Sequence, residues 1–244
     1  KAHPLWSILS KVFDKVVVLP EKLTHYKGKL MPGRMKVLMN TFTAFEKTLF
    51  MDADSIIFPN SNFTHKFNEL LTKDMAYHCW RQYPKHIVEK CGQACVWGPL
   101  VPYIDLMGMQ GDRFDEVSSY FIYWRTTERN NEFFAKALEI HDGILTGEMP
   151  SHDKVWNGSD WVPDEYPLTL ATGILGTYSN MGIYQPFADL GQKGRDMKMV
   201  EKSNVGITLP GNGPNTFWVN WYNHYARKVS EKYGVYKAFT FGGK

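Results

Sequence analysis

Short apolar blocks alternate with amphipathic stretches along this chain, and the alternation predicts a succession of strands and helices. Compact apolar runs predict buried strands at 15–19, 48–58, 74–80 and 118–124. Apolar residues three and four positions apart predict helices at 34–46, 62–72, 128–141, 164–175 and 217–233. Polar, Gly-rich or Pro-rich segments predict loops at 21–34, 81–114 and 203–216. The pattern predicts one α/β domain with a mixed sheet over residues 1–244.

The composition is that of an ordinary globular protein. Of 244 residues, 43% are hydrophobic and 22% are charged, and the net charge of +3 is too small to indicate nucleic-acid binding. No run approaches the ~18 apolar residues of a membrane span, and residues 1–10 lack the pattern of a signal peptide. Three cysteines favour reduced thiols, with a zinc site on Cys91 and Cys95 as the alternative. We therefore expect a cytoplasmic protein without a membrane span.

The residues with the clearest chemical meaning are Asp52 and Asp54, which interrupt the apolar run at 48–58. Residues i and i+2 of a strand point to the same face, so both carboxylates can converge on one point. Such a pair suits a hard divalent cation, Mn2+ or Mg2+, which could bind a diphosphate. The same spacing also occurs in turns and caps. The apolar flanks favour the metal site, because buried like charges without a cation are costly.

Four segments extend this pattern along the chain. Lys36 precedes Asp52 by 16 residues, and 45–54 are Phe-Glu-Lys-Thr-Leu-Phe-Met-Asp-Ala-Asp. Residues 118–124 are Ser-Ser-Tyr-Phe-Ile-Tyr-Trp, 163–168 are Pro-Asp-Glu-Tyr-Pro-Leu, and 208–211 are Thr-Leu-Pro-Gly. In this order the chain resembles the GT-A glycosyltransferases, and the glycogenin-like group in particular, over roughly residues 15–211.

The resemblance implies a single Rossmann-like GT-A domain with a mixed, mostly parallel sheet flanked by helices. It implies a metal-dependent enzyme that moves a sugar from a nucleotide-diphosphate sugar, expected to be a UDP-sugar, to a hydroxyl acceptor. Retention of the anomeric configuration would also follow from it. The residues that it implies are Asp52 and Asp54 for the metal, Lys36, Asp52 and Ser119 for the nucleotide sugar, and Asp164 and Glu165 for catalysis.

Each of these residues also has a simpler interpretation. Lys36 could be a surface lysine on a helix. Asp164 and Glu165 could serve only as capping acids, because acids are favoured in the first turn of a helix.

The chain departs from the family pattern at three places. The family's first strand is not found before Lys15, so we expect part of the N-terminal nucleotide-binding unit to lie outside this sequence. The family's metal-binding His corresponds to Thr208, which leaves the third protein ligand unassigned. His224 lies nearby in sequence, but a single His among aromatic residues is more typical of a structural role. Tyr120 replaces a Gly near the acceptor and predicts a different acceptor.

The acceptor stays open between a glycan, a small molecule and modified DNA. Some bacteriophage enzymes of this broad type glycosylate hydroxymethylated bases, and a phage-encoded protein in a bacterial host would suit the absent signal peptide. A flipped base could then stack on aromatic residues. The residues that would serve DNA are Lys193, Arg195, Lys198 and Lys202 in a basic run, and Trp156 and Trp161 in the pocket. A non-catalytic nucleotide-sugar-binding module is the remaining alternative.

Overall fold

The computed structural model describes residues 13–52, 55–58, 61–150, 162–176, 181–183, 187–189, 206–208, 223–225, 227, 228 and 231. In this part of the chain the α-helices are Glu21–Thr24 (α1), Pro32–Val37 (α2), Phe63–Leu70 (α3), Lys85–Cys91 (α4), Val101–Met107 (α5), Glu128–Thr146 (α6) and Glu165–Ile174 (α7), and Met39–Thr41 form a 3-10 helix. The strands are His25–Tyr26 (β1), Lys29–Leu30 (β2), Lys47–Met51 (β3), Ile56–Ile57 (β4), Met75–Pro84 (β5), Ala94–Cys95 (β6), Gly98–Pro99 (β7), Arg113–Arg125 (β8), Met181–Ile183 (β9), Phe187–Asp189 (β10) and Gly206–Thr208 (β11).

The central sheet has four described strands in the order β3-β8-β5-β9. β8 is antiparallel to both of its neighbours, β3 and β5, whereas β9 is parallel to β5. The chain is therefore a mixed α/β protein, and the expectation of a mostly parallel sheet is wrong for the described strands. The reason is the connection from β5 to β8. Two short helices and the hairpin β6–β7 return the chain in the opposite direction, without the single crossover helix typical of a parallel neighbour.

A second sheet joins β4 to the later part of the chain. Its order is β10-β11-β4, with β10 parallel and β4 antiparallel to β11. Because β4 follows β3 after only four residues, this sheet meets the central sheet near the predicted metal site.

The two faces of the central sheet bury different apolar clusters. Alternate residues of β5 point to opposite faces. Tyr77 packs with residues of α6 and α7 on one face, and Ala76 packs with Leu70 of α3 on the other. α6 begins after Thr127, whose side chain accepts a hydrogen bond from the Asn130 amide, and ends at Gly147 in the left-handed conformation. This packing fixes the helices from which the site is built.

Most long elements agree with their predictions. The predicted strands at 74–80 and 118–124 lie within β5 and β8, and the predicted helices at 62–72, 128–141 and 164–175 correspond to α3, α6 and α7. The run at 48–58 forms β3 and β4, as predicted. Helical residues occur at 223–225, 227, 228 and 231, and the rest of the helix predicted at 217–233 lies outside the described residues.

Other local predictions are wrong. Residues 15–19 form no strand, and Val17 and Val18 are 47% and 72% exposed. The helix expected over 34–46 starts at Pro32 and ends at Val37. The loops expected at 21–34, 81–114 and 203–216 contain short helices and strands, because several of their glycines end helices or lie in hairpins. None of the described helices has the length and apolar character that crossing a membrane requires.

Candidate functional site

The amine of Lys36 is the centre of a polar cluster built from four separate parts of the chain. Its Nζ atom lies 2.8 Å from Asp52 Oδ1 and donates a 3.0 Å hydrogen bond to Oδ2. It donates another, of 3.1 Å, to Ser119 Oγ. Asp164 Oδ2 lies 3.6 Å away, close enough for charge attraction but too far for a good hydrogen bond. The Lys36 side chain is 26% exposed, so the centre is open to solvent at one side.

Each of these side chains is placed by the end or an irregularity of an element. Lys36 lies in the last turn of α2, and Asp52 follows the last residue of β3. The Asp52 amide donates to the carbonyl oxygen of Tyr120, and the Ser55 amide donates to the carbonyl oxygen of Asp52. These bonds fix the turn that carries Asp52 against β8.

Ser119 lies where β8 leaves its regular pairing with β5. Tyr77 is paired with Ile122, but the next residue, His78, is paired with Ser118. Three residues of β8 are therefore extra at this point, and Ser119 is one of them. Such irregularities redirect side chains and backbone groups and are frequent beside active sites.

Glu165 is the first residue of α7 and reaches the same part of β8. Its Oε1 atom accepts a 3.2 Å hydrogen bond from Ser118 Oγ and a longer, 3.4 Å one from the Ser119 amide. Burial, followed by the charge of Asp164, raises the pKa of Glu165 to about 7, although the bonds from β8 and the charge of Lys36 oppose this shift. A carboxyl group with this pKa can exchange a proton near neutral pH.

α7 supplies side chains to the edge of β8 opposite β5, where none of the described strands pairs with β8 before residue 121. β3 pairs only with residues 121–125 of β8. Before that point, the Asp115 amide donates to Thr172 Oγ1 at 2.8 Å and the Val117 amide donates to Thr169 Oγ1 at 3.0 Å. The Ser119 amide continues the series by donating to Glu165. Alternate amides of a strand are thus matched to one face of a helix, and this match sets the position of Glu165.

Gly33 allows α2 to approach the start of α7. A Cβ atom at this position would lie 2.4 Å from the Val162 carbonyl oxygen and 3.1 Å from the Asp164 amide nitrogen. No larger residue fits unless the two segments move apart. The glycine therefore brings Lys36, three residues later, within reach of Asp164.

Arg34 attaches α2 to α6. Its guanidinium binds the Asp142 carboxylate through two hydrogen bonds of 2.9 and 2.7 Å, and it also donates to the Leu23 carbonyl oxygen. Burial alone would raise the pKa of Asp142, but hydrogen bonds from His141 and Arg34 outweigh it and lower the pKa to about 2. The paired geometry is the stronger type of ion pair and holds the helix that carries Lys36.

Within the part of the chain that the structure describes, the acidic groups around Lys36 outnumber the basic ones. Three carboxyl groups, those of Asp52, Asp164 and Glu165, surround one lysine. Burial raises the pKa of Asp52 despite the neighbouring Lys36. Burial would lower the pKa of Lys36, but Asp164 and Asp52 outweigh it and raise the pKa.

Two oxygens near this cluster, Asp164 Oδ2 and Ser55 Oγ, are buried and have no hydrogen-bond partner among the described residues. Carboxylate and hydroxyl oxygens are the ligand types that hard cations take. No group of three or more His, Cys, Asp or Glu is placed to hold a metal within the described residues, but Asp54 is not among them.

Five of the six predicted site residues thus meet in one place. Lys36 contacts Asp52, Ser119 and Asp164, and Glu165 accepts hydrogen bonds from Ser118 and Ser119 beside them. The simpler interpretation is wrong for Lys36, which is not a surface lysine. Asp164, at the N-cap of α7, makes no side-chain capping bond, but both acids lie at the helix start, so the capping interpretation stays an alternative for them. Asp54 lies outside the described residues, so its place in the centre stays a prediction.

The remaining sequence predictions have mixed outcomes. Thr208 ends β11, whose antiparallel pairing to β4 runs toward Ser55 and the turn after Asp52. His224 is exposed, with its ring beside that of Tyr225. The Tyr120 ring packs with Leu70 on the α3 face. The residues proposed for DNA, Trp156, Trp161, Lys193, Arg195, Lys198 and Lys202, lie outside the described residues.

Sequence reasoning missed the residues that position the centre. Gly33, Arg34, Thr169 and Thr172 gave no motif, because each acts through a contact with a distant segment. The one available signal was Pro32-Gly33, in which Pro is typical of the first turn of a helix.

Comparison with protein families, with curated proteins and with solved structures finds no match to this chain.

Proposed function

We propose that this protein is a metal-dependent glycosyltransferase that moves a sugar from a nucleotide-diphosphate sugar to a hydroxyl acceptor. The observation that carries the proposal is the convergence around Lys36. Lys36 contacts three residues that the resemblance assigned to the same site, the most distant of them 128 positions away in sequence, and Ser119 links Glu165 to them. A chance Asp-X-Asp would not by itself place Asp52 on the same lysine that Asp164 approaches.

The donor would bind at the Asp52 side of the centre. Asp52 and Asp54 would hold Mn2+ or Mg2+, which supplies positive charge to the leaving diphosphate. Lys36 already contacts Asp52 and Ser119, so its amine can orient the carboxylate and add a positive charge beside a phosphate oxygen. By the resemblance, the donor is expected to be a UDP-sugar.

The acceptor would approach from the side of α7. Glu165 has a pKa of about 7, so a substantial fraction is ionised at neutral pH and can accept the proton of an acceptor hydroxyl. Asp164, held near Lys36, would orient the acceptor or stabilise positive charge that develops on the transferred sugar. Under this proposal, Glu165 acts as the base and Asp164 as the orienting or charge-stabilising group, both at the start of α7.

The proposal is tested by thermal denaturation with a panel of nucleotide sugars, namely UDP-glucose, UDP-galactose, UDP-N-acetylglucosamine and GDP-mannose, each with and without Mn2+. At least one donor should raise the melting temperature only when Mn2+ is present, because a ligand that binds the folded state stabilises it. Asp52→Asn and Asp54→Asn should lose this shift. Asp105→Asn, at an exposed acid on α5, is the matched control and should keep it.

The results separate the alternatives. A donor that binds with Mn2+ but is never hydrolysed or transferred would favour the non-catalytic module. No Mn2+-dependent shift with any donor, or an equal shift in Asp54→Asn and the parent, would contradict the assignment of the centre.

A further inference from the structure

We infer that Trp80 is a stacking platform for a sugar unit of a glycan acceptor, beside the Lys36 centre. The inference rests on the proposed function and names the acceptor class that this function leaves open. The Trp80 side chain is 46% exposed although it lies within β5, a strand of the central sheet. A large aromatic ring held open to solvent is a common recognition surface.

A bulge in β5 presents this ring. Cys79 pairs with Val117, but Gln82 pairs with Asp115, so Trp80 and Arg81 oppose a stretch of β8 that is one residue shorter. The Cys79 thiol donates to the Arg81 carbonyl oxygen at 3.0 Å and secures the bulge. A bulge re-aims side chains and is typical of strands next to active sites.

Aromatic rings connect Trp80 to the centre. Its ring lies 6.4 Å from that of His78, in an edge-to-face arrangement, and the His78 ring lies 4.8 Å from that of Tyr120. The Tyr120 carbonyl oxygen binds the Asp52 amide. His78 is also the register partner of Ser118, which donates to Glu165. Trp80 is therefore two ring contacts from Tyr120, the residue whose carbonyl oxygen holds the Asp52 turn, and it lies on the same strand as the register partner of Ser118.

The charges favour a neutral glycan over a nucleic acid. Both ligands have rings that stack on indole, since a pyranose presents C–H groups on one face. DNA, however, is bound through lysines and arginines that neutralise phosphates. Among the described residues of the centre, the carboxyl groups of Asp52, Asp164 and Glu165 outnumber the one amine of Lys36, so the centre without a bound metal ion disfavours a polyanion.

The test measures saccharide binding in the absence of donor. The full chain is mixed in turn with maltose, cellobiose, lactose, N,N′-diacetylchitobiose and a ten-residue thymidine oligonucleotide, and binding is followed by saturation-transfer NMR and titration calorimetry. At least one disaccharide should bind the parent, and Trp80→Ala should weaken it about tenfold, the loss of one aromatic stacking contact. Trp80→Phe should retain most of the affinity. Phe45→Ala removes another exposed aromatic ring, 71% exposed, and should change nothing.

Two results would overturn the inference. One is that no disaccharide binds in a manner that depends on Trp80. The other is that only the oligonucleotide depends on it, which would indicate a nucleic-acid acceptor. Donor binding with Mn2+ is measured separately on the same variants. If Trp80→Ala binds both the donor and the saccharides as the parent does, the stacking platform is rejected and the proposed transferase function is not affected. If the parent binds no donor in the presence of Mn2+, the proposed function itself is rejected.

Discussion

At the scale of single residues, the site is an arrangement of charges whose energies depend on one another. Lys36 neutralises part of the charge of Asp52 and Asp164, and the partly buried acids keep excess negative charge in a small volume. The strongest consequence falls on Glu165, whose pKa rises to about 7. An acid whose pKa is raised in the folded protein links proton binding to folding and, under the proposed function, to catalysis.

Glu165 should make the protein more stable in mild acid than in alkali, when divalent cations are absent. Its folded pKa of about 7 lies above its unfolded value, so its contribution is fully present below about pH 4.5 and is lost as the pH rises through 7. Glu165→Gln should remove this dependence and should be more stable than the parent at pH 8 by about 1–3 kcal/mol. Urea unfolding in EDTA at pH 5 and pH 8 measures both effects.

Glu132→Gln, at an exposed acid on α6, is the control and should follow the parent at both pH values. If Glu165→Gln were destabilised equally at pH 5 and pH 8, the carboxyl group would not have the raised pKa assigned to it.

At the scale of elements, α7 and α2 are positioned by contacts that are specific to small or hydroxylated residues. α7 accepts hydrogen bonds from three amides on the edge of β8 opposite β5, and Gly33 brings α2 against the start of α7. The positions of Lys36 and Glu165 therefore depend on residues outside the Lys36 centre.

Thr169→Val tests the hydroxyl contact of α7. The two side chains have nearly the same shape, but Val leaves the buried Val117 amide without its acceptor, which should lower the free energy of unfolding by about 1–3 kcal/mol. Thr169→Ser keeps the hydroxyl and should recover most of the loss. Urea unfolding gives the values. The same change at the exposed Thr64 of α3 should be nearly neutral, and equal effects at both threonines would contradict the role of this contact.

Gly33→Ala tests the close approach of α2. The added methyl meets backbone at 2.4 Å, so α2 must move and the protein should lose about 1–3 kcal/mol of stability. Mn2+-dependent donor binding should weaken as well, because Lys36 moves with the helix.

Gly143→Ala is the matched control for this change, because its methyl would meet the flexible side chain of Met149. It should be tolerated better in both urea unfolding and donor titration. A Gly33→Ala variant as stable as the parent would show that α2 can approach α7 without the glycine.

These contacts also explain how far the sequence could predict the structure. The helical periodicity of apolar residues predicts α3, α6 and α7, and the apolar runs predict β5 and β8. The segment 81–114 was predicted as a loop because Gly92 and Gly108 look like breakers. Both glycines instead have positive φ, 62° and 73°, and directly follow short helices. The residues of the centre were found because their chemistry is visible in sequence, whereas Gly33 and Thr169 act only through tertiary contacts.

At the scale of the whole molecule, the site lies where several parts of the fold meet. β3 ends there, β8 is irregular there, and α7 begins there, while the second sheet leads β11 toward the turn that follows Asp52. The Arg34–Asp142 pair ties α2 to α6 and holds the remaining side. This convergence is the structural basis for assigning chemistry to the Lys36 centre.

The measurement that tests this assignment most directly is the release of nucleoside diphosphate from a nucleotide sugar that the protein binds. The parent should release it slowly without acceptor and only with Mn2+ or Mg2+. Asp52→Asn and Asp54→Asn should be inactive, whereas Asp105→Asn should match the parent. Absence of turnover with every bound donor, or turnover by Asp52→Asn equal to that of the parent, would contradict the account.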